Sequence, residues 1–541
     1  MRSLSAHRLR RSLVAALAVS ALLGLFGAAK AAAASVLRVP QDYPTIQAAI
    51  DAAVAGDTVS VSAGTYLERI DFHAKAITVQ SVSGAGSTII DGGGAGVVVT
   101  INANTGETPV LRGFTVRNGG SSGFPDGAID TSGGPALIES NTITGNHFCD
   151  NGAVEASFSA ATIRNNVISQ NSQQGCSGGV GGAGVTVRGA GTVQVLNNTI
   201  TGNVDNSADG GGIALFAAGT PTINGNVISN NVSGAAGGGI SLVNQSDASV
   251  TNNVIYGNQA SQGGGIYWLV PSGARGPFVF NNTIAGNQAN NGLAVYADGF
   301  DQQASLTNNI LVGNGTAAVV ECGSLNDPYP PIIRFNDVRN EGTGARYTGL
   351  CTDQTGVNGN ISADPLFVGA AAGNYHIQQG SPAVDAGTNA GAPATDIDGD
   401  PRPLDGNGDG IAIVDMGADE LVPTGDVTPP TISCSASPNV LWPPNHDLRF
   451  VTVSISASDN SGSVAVTLLS VTSSQADSGL GKQDVPNDIQ GWVTGTDDRS
   501  GYLRAERFDT SRVYTLTYRA QDPSGNRATC QTTVTVPMKQ S

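Results

Sequence analysis

Positive charge is scarce in this sequence. Lysine occurs four times in 541 residues, and Lys+Arg total 26 against 43 Asp+Glu, for a net charge of −17. Such a balance excludes nucleic acid as a partner and gives no attraction to anionic lipid. It also repels polyuronates unless calcium or a local arginine cluster bridges the two. Beyond the first 35 residues there is no apolar run long enough to cross a membrane. Helical periodicity is almost missing as well, which leaves strands and turns to build the fold.

Glycine and asparagine are abundant, with 73 glycines. Glycine carries a backbone entropy cost, so this number implies many tight turns or close backbone approaches. The phrase Asn-x-(Ile/Leu)-x-x-Asn recurs at Asn141–Asn146, Asn166–Asn171, Asn198–Asn203, Asn226–Asn231, Asn253–Asn258, Asn282–Asn287 and Asn309–Asn314. Successive copies start 25, 32, 28, 27, 29 and 27 residues apart, the spacing of a solenoid. The central Ile or Leu suits a strand, and the Asn and Gly neighbours suit turns. Each unit is therefore one coil, and the coils stack into a parallel β-helix. Ile143, Ile168, Ile200, Ile228, Ile255, Ile284 and Leu311 should form one internal column. The recurrent asparagines should form an amide ladder, which gives them a structural cause. A second phrase, Gly210-Gly-Gly-Ile213, Gly237-Gly-Gly-Ile240 and Gly263-Gly-Gly-Ile266, alternates with the first. A phosphate loop is rejected there, because no Lys-Ser/Thr and no helix follows.

Residues 1–35 read as an export signal. Arg2, Arg8, Arg10 and Arg11 are basic, Leu13 to Ala28 is apolar, and Ala31 to Ala34 is a run of small residues. A retained membrane anchor is the competing reading, and the apolar run is short for it. Residues 36–57 form an entry cap, with a helix from Pro44 to Val54 covering the first coil. The coils occupy 58–386, about twelve of them, in a rod near 60 Å long. An Asp/Gly-rich exit and linker spans 387–430, and 431–541 alternates like a small β-sandwich. Six cysteines in an exported chain pair by coil spacing and domain bracketing: Cys149–Cys176, Cys322–Cys351 and Cys434–Cys530.

Several segments resemble known families. Tyr43-Pro-Thr-Ile-Gln-Ala-Ala-Ile50, Gly56-Asp-Thr58 and Gly64-Thr-Tyr66 resemble the start of right-handed parallel β-helix proteins of the pectate lyase-like superfamily. The Gly-Gly-x-Ile style is similar to repeats of bacterial polymorphic outer-membrane and autotransported surface proteins. Ser381-Pro-Ala-Val-Asp-Ala-Gly387 through Asp415-Met-Gly-Ala418 resembles the terminal segment of secreted bacterial β-helix proteins of the choice-of-anchor type. Asp522-Pro-Ser-Gly-Asn526 resembles hyalin-repeat and other immunoglobulin-like modules. Together these imply an all-β, right-handed parallel β-helix with a helical cap and a C-terminal immunoglobulin-like sandwich.

The chemistry is less legible. Asp405, Asn407, Asp409 and Gly410 match the first half of an EF-hand-type calcium loop. The twelfth position is Met416, and Asp415 falls one residue early; Asp396, Asp398 and Asp400 are offered to complete the shell. The competing reading is a solvated acidic linker. The resembled superfamily implies calcium-dependent lyases or clustered-Asp hydrolases, but Arg-x-Pro-x-x-Arg, Asn-Thr-Asp and Gly-His-Gly are all missing. The best candidates for acid–base work are His147, Asp150, Glu155, Asp205 and Asp209. Arg164, Arg188, Arg275, Arg334 and Arg339 look scattered, none one coil from an acid pair. Tyr267, Trp268, Trp442 and His446 are candidate ligand contacts, with packing of Trp442 on the sandwich as the bland alternative. The expectation is a monomeric, secreted or cell-surface rod that binds an extracellular polysaccharide or surface glycan without cleaving it. The alternative is a polysaccharide lyase or glycoside hydrolase working in the groove.

Overall fold

The computed structural model describes residues 34–539, apart from 104–105, 121–126, 150, 174–180, 272, 300–301, 326–328, 424–425, 427, 460–462 and 482–483. Residues 1–33 of the proposed export signal lie outside the described residues, as do Asp150 and Cys176. Three long parallel sheets run the length of the rod. The first has 12 strands, from Val36–Val39 to Ile332–Arg334; the second has 11, from Gly64–Leu67 to Asp337–Asn340; the third has 11, from Ile70–Asp71 to Tyr347–Gly349. A fourth sheet of four short strands, from His147–Phe148 to Val232–Ser233, joins the second to the third over the middle coils. No helix among the described residues is long and apolar enough to cross a membrane.

The Asn phrase builds the two corners of the second sheet. Its aliphatic residue points inward, and the predicted column from Ile143 to Leu311 is fully buried. At the first corner the backbone N–H and Nδ2 of Asn141 both donate to Oδ1 of Asn166. The same pattern repeats through Asn198, Asn226, Asn253, Asn282 and Asn309 and continues to Asn336 and Asn360. At the second corner the ladder runs from Asn146 to Asn287. Asn314 departs from the expectation: it is exposed. The strand before it, Ile310–Gly313, is one residue longer than Thr283–Ala285 on the preceding coil, which displaces the corner. Many residues preceding a ladder Asn are left-handed, such as Asn197 at φ 54° and Gly225 at φ 68°. Asn and Gly tolerate that region best, which accounts for the doubled Asn-Asn and Gly-Asn.

The glycine triplets are also structural. Gly237, at φ +69°, turns the chain back over the strand, where a Cβ would lie 2.7 Å from Cβ of Ser241. A Cβ on Gly238 would lie 2.6 Å from the Gly264 carbonyl on the next coil, and one on Gly239 would lie 2.7 Å from Ile255 in the core. Each position therefore excludes side chains for its own reason.

The entry helix spans Ile46–Ala52, shorter than expected, with Thr45 as its N-cap and Pro44 just outside. Ile46, Ala49 and Ile50 are buried, and the Glu68 carboxylate accepts from the N–H of Ile46 and Gln47 at 3.0 Å each. The parallel strands stop at Gly349, and the last coil bridge joins Ile361 to Asp337. The coils thus end well before Ala386. The chain then reverses: Phe367–Gly369 and Asn374–Ile377 form an antiparallel hairpin, and residues up to 421 return along the flank of the coils. Tyr375, Ile377, Ala383 and Met416 pack on Ala285, Ile310 and Val312. Nδ2 of Asn252, Asn281 and Asn308 donates to the carbonyls of Thr395, Asp415 and Thr388 at 2.7, 3.0 and 2.9 Å. No repeat signals this return, which is why the coil boundary was misplaced.

The C-terminal module is a β-sandwich of a four-stranded and a three-stranded antiparallel sheet. Leu441, Val451, Leu468, Leu503, Tyr514 and Tyr518 fill its core. Cys434–Cys530 ties its two sheets, and Cys322–Cys351 ties the last two strands of the third sheet region at a Cα separation of 5.3 Å. Cys149 is disulfide-bonded.

Candidate functional site

The outward-pointing side of the third sheet carries a line of polar and aromatic residues, of which Glu155, Thr186, Ala214, Ser241 and Tyr267 are buried and Asp130, Tyr296 and Glu321 half-exposed. Strand register aligns Asp130, Glu155, Thr186, Ala214, Ser241, Tyr267, Tyr296 and Glu321 in one line, one residue per coil. The neighbouring line contains Ser157 paired with Arg188. Glu155 sits at the convergence. Its Oε1 accepts from Ser157 Oγ at 2.7 Å and lies 3.2 Å from Arg188 Nε. Its Oε2 is buried with no hydrogen-bond partner among the described residues. Burial pushes the Glu155 carboxyl up to about 7, and the Asp130 charge adds to the rise, while Ser157 and Arg188 oppose it.

This arrangement corrects one expectation. Arg188 does lie one coil from an acid, and that acid neighbours a second on the preceding coil. Asp130 and Arg188 were missed as partners of Glu155 because coil lengths vary, so register cannot be counted from sequence. The other proposed acids do not join them. Asp205 is buried, its Oδ1 accepting from the N–H of Ser207 and Ala208 at 2.9 and 2.8 Å, which makes it a turn-forming residue. His147 is exposed on the fourth sheet, 2.7 Å from Ser172 Oγ. Asp209 accepts from the Ala236 N–H at 3.0 Å, and burial raises its carboxyl.

Further along the line, Tyr267 and Tyr296 stack with ring centroids 5.8 Å apart. Strand alternation sends Trp268 the other way, into the core at 0% exposure, so it is removed from the ligand contacts. In the sandwich, Leu441 rather than Trp442 plugs the core, and Trp442 is 36% exposed. His446 Nδ1 lies 2.9 Å from Glu506.

The proposed calcium residues separate into three places. Asp405 spends both oxygens on the N–H groups of Gly408, Asp409 and Gly410, and Asn407 accepts from Asp409. Asp396 Oδ1 accepts from Asp398, Gly399 and Asp400. Asp415 belongs to neither loop. It is buried, receives the N–H of Asp385 and Leu421, and neighbours Glu420, whose carboxylate lies 3.5 Å from the fully buried Arg402. Burial lifts its carboxyl to about 8, with Glu420 adding to the rise. Met416 is a core residue, which explains the failed twelfth position. Asp398 instead meets His376 and Asp419, two residues that no sequence motif marks.

Residues 69–226 and 177–311 match the family model described as the right handed beta helix region. The rod is a right-handed parallel β-helix. No curated protein sequence matches this β-helix protein. Among solved structures it is similar to the PL6 family polysaccharide lyase of Pseudopedobacter saltans, at 13% identity and a TM-score of 0.26, over 61% of this chain and 92% of that one.

Proposed function

We propose that this β-helix protein works outside the cell and binds a neutral polysaccharide along the outer face of its third sheet, without cleaving it. The observation that carries the reading is the half-exposed end of that in-register line, where Tyr296 stacks on Tyr267 and Glu321 follows one coil on. A linear polymer suits a linear site that advances about 4.8 Å per coil. The half-exposed Glu321 carboxylate can bond sugar hydroxyls, and the half-exposed Tyr296 ring offers a face to the apolar side of a sugar. The net charge of −17 opposes anionic polymers. The Cys322–Cys351 and Cys434–Cys530 disulfides support an oxidising compartment. The test is retention on a panel of insoluble neutral polysaccharides, with reducing ends measured in parallel. Retention on at least one, lost in a Tyr296→Ala, Glu321→Gln double variant, supports the reading. Failure to bind any of them overturns it.

One observation favours a second reading, glycoside hydrolysis. A carboxyl near 7 beside a second acid and an arginine has the makings of an acid–base pair. Reducing ends that appear with the parent chain and vanish with Glu155→Gln would select hydrolysis over binding alone.

A further inference from the structure

We infer that His376, Asp398 and Asp419 bind a borderline divalent metal ion, of which zinc is the best match, at the rim of the cavity between the returning segment and the coils. One donor comes from the hairpin strand Asn374–Ile377, one from the loop after Asp396, and one from the stretch following Met416. Their donor atoms all lie within 4.8 Å of one another. The cavity beside them has a volume of ≈ 300 Å³, and Asn197, Thr199 and Val227 of the coils line its far side.

Hydrogen bonding around the imidazole carries the argument. Asn374 Oδ1 accepts from the His376 backbone N–H at 3.1 Å, which identifies it as the amide oxygen. The same oxygen lies 2.5 Å from Nδ1, so Nδ1 carries the ring proton. Nε2 lies only 2.6 Å from Asp398 Oδ2, so a cation, either a proton on Nε2 or a metal ion, sits between them. A proton supplies one charge, yet Asp419 brings a second carboxylate that is 8% exposed. Asp419 Oδ2 accepts from the Ile377 N–H at 2.8 Å, which holds it in place. A divalent ion balances both carboxylates with a neutral imidazole.

The donor set decides the metal. One imidazole nitrogen and two carboxylates suit zinc, whose bonds to N and O are about 2.0–2.2 Å. Calcium takes six to eight oxygens and does not favour imidazole. Asn374 acts as the outer partner that fixes the ring tautomer. His376 and Asp398 are about half exposed, so their side chains are free to close on an ion. Because the three ligands come from separate stretches, the ion cross-links the returning segment, and its remaining positions open to the cavity.

The experiment uses chelator-stripped full-length protein. Zinc is titrated by calorimetry, cobalt(II) by visible absorption, and calcium as the control. The expected result is one zinc per chain, a cobalt d–d band, and weakening of both by tenfold or more in His376→Gln and Asp419→Asn, with Asn374→Ala weaker by roughly 10–100-fold. Circular dichroism of the metal-free variants reports folding. Should Asp419→Asn misfold, the exposed Asp398→Asn replaces it. Absence of saturable zinc and cobalt binding by the parent chain overturns the inference. So does binding that survives in the ligand variants, or calcium binding in preference to zinc.

Discussion

Asn231 shows how much one side chain carries in this fold. Its Oδ1 receives the backbone N–H and Nδ2 of Asn203, and its Nδ2 donates to Ile200 O and Asn258 Oδ1. Truncation leaves buried donors and acceptors unmet, at about 1–3 kcal/mol each. Asn231→Ala should destabilise by about 3 kcal/mol or more, read as a fall in thermal midpoint. Replacing Asn314, which is exposed and outside the ladder, should leave the midpoint within error. The sequence announced the ladder because the same residue recurs for the same reason. Glu155 is visible in the sequence only as one of four candidate acids. Its importance comes from Asp130, Ser157 and Arg188, which reach it through coils of unequal length. Folded Glu155 holds its proton to about 7, whereas the ordinary glutamate value is 4.5. The folded chain therefore binds more protons in that window, and this stability is lost as pH rises from 4.5 to 7. Glu155→Gln cannot ionise. The midpoint difference, variant minus parent, should thus be more positive at pH 8 than at pH 5.

At the scale of elements, the triplets and the returning segment make opposite lessons. Gly239 faces Ile255 where a Cβ has no room, so Gly239→Val overpacks the core. A loss of about 1–3 kcal/mol or more is expected, measured by denaturant midpoint. The triplet was readable as a phrase, but its three separate constraints need the coils above and below. The returning segment has no period and no patterned face long enough to flag it. Asp398 and His376, 22 residues apart in sequence, become neighbours only through that fold-back. The calcium-like spacing of Asp405, Asn407 and Asp409 marks a turn whose own N–H groups already take up Asp405. If the loop is nonetheless a calcium site, millimolar calcium should raise the melting midpoint of stripped protein in a His376-independent manner. An unchanged midpoint identifies it as a structural turn.

For the whole molecule, three buried carboxyls set the response to acid and base. Asp415 is raised to about 8, Glu155 to about 7 and Asp337 to about 6, each mainly by burial. All three are protonated in both states at low pH, and each destabilises progressively as pH climbs toward its folded value. Asp353 pulls the other way: hydrogen bonds from Thr355 and Arg346 lower it to about 2, though it is mostly exposed and contributes little. Stability should therefore be greatest near pH 4–5 and decline toward pH 8. Thermal midpoints across pH 3–9 check this, and a maximum on the alkaline side would contradict it.

The fold-back also gives the rod a mechanical asymmetry. Its inter-coil bonds lie along the long axis, so tension applied at the two ends loads them in series and favours peeling coil by coil. From Asn252 to Asn308 the returning segment is fastened to three successive coils, and there it acts as a splint that spreads the load. Among the described residues, the coils nearest the entry helix have no such brace. Under a steady pull, extension should begin at that end, while the splinted coils yield last and at higher force.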